Sequence, residues 1–69
     1  MKYEVTNTTN NVTKVLDYHA VRVIINSNSA EKARENFAKL DALEVDYADE
    51  FTDNYGSMGG GRIVIERVA

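Results

Sequence analysis

Between Asn28 and Leu40 the chain carries one clear helical stripe, and on either side of it apolar residues alternate with a period of two. That combination confines the fold to a helix laid on a sheet. Ala30, Ala33, Phe37 and Leu40 recur at helical spacing, while Glu31, Lys32, Arg34, Glu35 and Lys39 fill the remaining surface. Asn26-Ser27-Asn28-Ser29 supplies residues that cap a helix start, and with Asn28 as the cap Glu31 stands where a capping-box carboxylate belongs. The helix is expected from Ser29 to about Ala42, with Glu35 and Lys39 paired one turn apart.

The first strand is expected over Lys2 to Thr6, with Tyr3 and Val5 on its inner side, and the polar run Asn7 to Asn11 reverses the chain into a hairpin. Val12 to Ile25 is rich in β-branched and aromatic residues on both faces and reads as a long central strand, bent near Asp17. Leu43, Val45 and Tyr47 alternate with Glu44 and Asp46 as a third strand, and Arg62 to Val68 forms the last after a glycine-rich loop. The fold class is α+β: one domain over residues 1–69, an antiparallel sheet of about four strands with one helix on one face, in the order ββαββ. A single helix leaves the other face bare. Leu16, Tyr18, Ile24, Val64 and Val68 are expected there, an apolar surface suited to a homodimer or a partner.

A chain of 69 residues buries little, and this one has no cysteine and a single histidine, His19. A disulfide framework and a cysteine-rich zinc site are therefore excluded. No run approaches the length of a membrane span, and the first residues alternate where a signal peptide has an apolar block, so a cytoplasmic location is expected. Asn7-Thr8-Thr9 and Asn11-Val12-Thr13 match the glycosylation acceptor but are read as polar turn residues. The net charge of −3 favours a basic protein partner over direct contact with nucleic acid.

The densest chemical feature runs from Glu44 to Asp53. Glu44, Asp46, Asp49, Glu50 and Asp53 with Tyr47, and Tyr55 just beyond, form either a solvated acidic edge or a surface that docks in an Arg/Lys-lined groove. The carboxylates do not follow the spacing of a calcium loop. Gly59-Gly60-Gly61-Arg62 could form an amide nest for an anion, but without the lysine and helix of a P-loop, and Met58 at its start is a candidate contact. His19 has Asp17 beside it on the expected strand but no patterned nucleophile. No catalytic residue, metal or cofactor is expected.

His19-Ala20-Val21-Arg22-Val23-Ile24-Ile25-Asn26-Ser27-Asn28-Ser29-Ala30-Glu31-Lys32-Ala33-Arg34 leads from a strand through a polar turn into a helix opening S-x-E-x-A. It resembles in layout small proteins of phages and mobile elements, the DpnD/PcfM-like proteins and several phage anti-CRISPR proteins. The resemblance implies a phage- or plasmid-borne accessory protein, an inhibitor or adaptor that blocks a host defence or regulatory machine such as a CRISPR effector complex by occupying a surface. The acidic segment from Glu44 to Asp53 would supply the mechanism, its carboxylates standing in for nucleic-acid phosphates in a basic channel. No residue role carries over.

Overall fold

The computed structural model describes all 69 residues. Strands β1 (Lys2–Asn7), β2 (Val12–Asp17), β3 (Ala48–Asp53) and β4 (Gly61–Arg67) form one antiparallel sheet in the order β2-β1-β4-β3. Two helices, α1 (Tyr18–Ile25) and α2 (Ala30–Asp41), separate the hairpin pairs. The class is the expected α+β with an antiparallel sheet of four strands, and the element order is ββααββ. The strands nearest the two termini, β1 and β4, are its central neighbours, with Val5 opposite Ile65.

The β1–β2 hairpin closes through asparagine side chains that bond their own backbone. Thr9 N donates to Asn7 Oδ1 at 2.9 Å and Val12 N to Asn10 Oδ1 at 3.0 Å, and Asn11 takes a left-handed φ of 59°. Asn7 itself is the last residue of β1 and fully buried, not a turn residue.

The long central strand expected over Val12 to Ile25 is corrected. β2 ends at Asp17 and is an edge strand, and the chain turns at once into α1. Asp17 is the N-cap, its carboxylate accepting from Ala20 N at 2.9 Å. Val21, Ile24 and Ile25 are buried on the face that meets the sheet, whereas Val23 is exposed. Val21, Val23 and Ile25 alternate in sequence as a strand would, but Tyr18, Val21 and Ile25 also recur at helical spacing. Burial against β1 and β3 selects the second pattern, and a modest β preference gives way.

α2 begins one residue later than the capping box implied. Ser29 is the N-cap, with Lys32 N donating to its Oγ at 3.3 Å, so Glu31 lies inside the first turn, favourably placed at the positive end of the helix. Ala33 and Leu40 are buried and Phe37 half-buried, as the stripe required. Asn36 Nδ2 donates to the carbonyl of Ile25 at 3.0 Å, tying the helices together where α1 leaves a carbonyl without a helical partner.

Leu43 to Tyr47 is likewise not a strand. Leu43 N bonds Leu40 O and Tyr47 N bonds Glu44 O, successive turns that place Asp46 at a φ of 72°. The third strand lies in the following Ala48–Asp53, a segment with few β-favouring residues that is held by its register against β4, Phe51 opposite Ile63.

The core is Tyr3, Val5, Val21, Ile24, Ile25, Leu40, Leu43, Phe51, Met58, Ile63 and Ile65. Both helices contribute to it from the same side of the sheet, so the expected uncovered apolar face is corrected too. Leu16 lies opposite Tyr3 on the covered side, and Tyr18 and Ile24 belong to α1, with Ile24 buried. Val64 alone of that set remains on the open face within the strands, and Val68 lies past the end of β4. No helix is long and apolar enough to cross a membrane.

Candidate functional site

The acidic segment is divided by strand geometry. Successive side chains of β3 point to opposite faces, and Phe51, buried at 4% exposure, fixes which face is inner. Asp49, Phe51 and Asp53 therefore face the helices, and Ala48, Glu50 and Thr52 face the open side. Asp49 meets α2 through a Lys39 ion pair at 3.8 Å. Lys39 also donates to the Glu50 carbonyl and lies 4.3 Å from the centre of the Phe51 ring, so it bonds across to β3 and not to Glu35. Glu50 pairs on the open face with Arg62 at 3.9 Å. Glu44 and Asp46 precede the strand in the turn, where Val45 and Tyr47 are exposed and Asp46 N donates to Arg67 O at 2.7 Å. The five carboxylates share no one surface.

Asp53 is the most committed of them. It is 2% exposed, and its carboxylate accepts from Ser57 N at 3.0 Å, Met58 N at 2.6 Å and Gly60 N at 2.8 Å. Of the run Gly59 to Arg62, which could form an amide nest, only the Gly60 amide takes part, and the anion that it holds together with the amides of Ser57 and Met58 is this side chain. Gly59 N donates to Gly56 O. Asn7 clamps the loop from β1, its Nδ2 donating to the carbonyls of Met58 and Gly60 at 2.9 and 3.0 Å, and Asn10 adds a third bond to Met58 O. Met58 is buried beneath, not offered as a contact. Gly59 has a φ of 99°, and a Cβ there would lie 2.6 Å from Asn10 Nδ2. Arg62 projects to the other side of the sheet with Glu50, away from Asp53. Tyr55 remains exposed and its hydroxyl bonds Asn28 Oδ1 at 2.7 Å, while Asn54 Nδ2 reaches Asn26 O, so the loop is also fastened to the α1–α2 connection.

The histidine stands on a helix. His19 is exposed on α1 with its ring edge-on to Tyr18 at 5.8 Å, and Asp17, expected beside it, caps the helix instead. Tyr18 donates to Asp41 across the helix pair at 2.5 Å, and Arg22 lies over both the Tyr18 and Phe37 rings. The bond to the Asp41 carboxylate raises the Tyr18 pKa, because it is made by the protonated phenol; desolvation and the Asp41 charge push the same way, and Arg22 opposes them. No group of three or more His, Cys, Asp and Glu side chains is arranged to hold a metal ion. Every buried side-chain nitrogen and oxygen has a hydrogen-bond partner, so none is left directed at a ligand.

What remains is the open face of the sheet, untouched by either helix. Reading across the strands, Val15, Glu4, Glu66 and Ala48 form one row, and Thr13, Thr6, Val64 and Glu50 the next. Thr6 and Thr13 join hydroxyls at 3.0 Å. Glu4 stands directly opposite Glu66, a pairing of like charges that costs stability. Glu50 is the diagonal neighbour of Glu66, and Asp17 lies at the β2 edge opposite Lys2. Glu4 and Glu66 were not among the residues singled out from sequence. Each is the lone acid at an outward position of a short strand, and only the β1–β4 register joins them. Comparison of the chain with protein-family models, curated proteins and solved structures finds no match.

Proposed function

We propose that the chain is a non-catalytic binding protein, an inhibitor or adaptor, that docks the open face of its sheet on a basic surface of another protein. The observation that supports this is the apposition of Glu4 and Glu66 in the middle of that face. Two acidic side chains at directly opposed strand positions disfavour the free fold and are relieved by an Arg or Lys placed between them. Three acidic side chains on the face, Glu4, Glu50 and Glu66, stand against the cations Lys2 and Arg62, with Asp17 at its edge engaged as the cap of α1, and Val15 and Val64 add apolar contact. A phage-encoded blocker of a nucleic-acid-handling complex is one protein of this kind, with the carboxylates occupying a groove that otherwise holds phosphates.

The test is affinity capture from the native host with the wild-type chain and with the double variant Glu4→Lys/Glu66→Lys. A captured protein with a basic surface, lost from the variant while its circular dichroism is unchanged, is the expected result. Capture that survives the double reversal at physiological salt rejects the reading. Reversal of Glu44 and Asp46, in the turn before β3, is expected to matter less.

A further inference from the structure

The sheet has two edges, and they are finished differently. At the β3 edge the backbone of Glu50 is already occupied: its carbonyl accepts from Lys39 Nζ and its amide donates to Asp49 Oδ1 at 2.8 Å. Lys39 and Asp49 therefore occupy backbone groups of β3 to which a further strand would bond. At the β2 edge no side chain bonds the backbone between Thr13 and Leu16, and the pairing with β1 runs unbroken from Val12 to Asp17 without bulge or proline. All of β2 is exposed except the half-buried Leu16, and Val15 is 60% exposed. An unbroken strand, half of it β-branched residues, with free amides and carbonyls along one side is a template for another strand.

We infer that this edge pairs with β2 of a second copy of the chain, antiparallel about a twofold axis through Val15. Of the two registers that pair nearly the whole of β2, centred on Lys14 or on Val15, the charges select the second. In an antiparallel pair, residues directly opposite must share a face, so the axis passes through a residue and not between two. Centred on Lys14, the pairing opposes two lysines. Centred on Val15, it sets Val15 against its counterpart, Lys14 against Leu16 and Thr13 against Asp17, with no like charges opposed. The row Ala48, Glu66, Glu4, Val15 then continues into the same row of the partner, giving an eight-stranded sheet with one open face. Joining a single pair of edge strands covers well under about 1,200 Å², so the dimer is weak and forms reversibly with concentration.

Light scattering on size-exclusion fractions over a concentration series extending to the millimolar range reads this directly, and rests on no assumption about the open face. The wild-type chain is expected to move from monomer to dimer and no further. Val15→Lys, a change at an exposed position, is expected to raise the dissociation constant by about tenfold or more with circular dichroism unchanged. Thr52→Lys, on the opposite edge strand, is expected to leave it as it was. A wild-type chain that stays monomeric throughout, a dimer unaffected by Val15→Lys, or one broken by Thr52→Lys instead, overturns the inference.

Discussion

Asp53 and Glu66 are carboxylates on neighbouring strands of one sheet, and they have opposite surroundings. Asp53 lies on the covered side, 2% exposed, with three backbone amides directed at it. Glu66 lies on the open side with another carboxylate, Glu4, across from it. The first holds the glycine-rich loop in a single conformation. The second is a source of unfavourable charge that the fold tolerates because water screens it. A charge surrounded by donors is structural, and a charge set against its like is available to a partner.

Removing the first should cost most. Asp53→Ala leaves three amides without their acceptor and is expected to destabilise the chain by about 3 kcal/mol in urea unfolding, with Asp53→Asn losing less because one oxygen is kept. Asn7→Ala, which frees the carbonyl of Gly60 and leaves that of Met58 only its longer bond from Asn10, is expected to cost about 2 kcal/mol. Gly59→Ala meets both a strained φ and the Asn10 amide, and a loss of roughly 1–2 kcal/mol is expected in the same assay. On the open face the sign reverses. Glu66→Lys should raise stability by about 0.5 kcal/mol through a new attraction to Glu4, while weakening any partner that the acidic face holds. If Glu66→Lys destabilises the chain, the contrast between the two faces fails.

The smallest effect belongs to the helix pair. The Tyr18 pKa is raised in the folded chain, so the contribution of its bond to Asp41 is complete below the ordinary phenol value and is lost as pH rises through the higher folded value. Absorbance titration of the phenols should find one that ionises late, and Asp41→Ala should bring it back toward the ordinary range.

The two segments that departed from expectation show how local pattern and tertiary context divide the work. Tyr18 to Ile25 satisfies strand and helix periodicity at once, and over eight residues the choice rests on what the segment packs against. Ala48 to Asp53 carries one buried apolar residue, Phe51, too little to mark a strand, and exists through its pairing with β4. By contrast β1, the hairpin turn, α2 and β4 were legible to within a residue or so at each end, because each is specified by neighbours in sequence: alternation, asparagine turns and a helical stripe, with only the helix cap shifted from Asn28 to Ser29. The candidate site was less so. Glu50 and Asp53 were named together as acids of one surface, and the structure separates them: Glu50 is exposed, whereas Asp53 is the internal anion of the glycine loop.

By itself the sequence determined that this chain forms an α+β domain without disulfides, with a helix expected from Ser29 to about Ala42 over a sheet whose outer positions carry acids. Those properties follow from spacing along the chain and from residue types that are present or missing. Tertiary structure decided which acids meet. Glu4 and Glu66 are brought together, and Asp53 is enclosed, by strand register and by the placement of both helices on one side. Register is set by the summed burial of the core across segments far apart in sequence, and no local pattern records it.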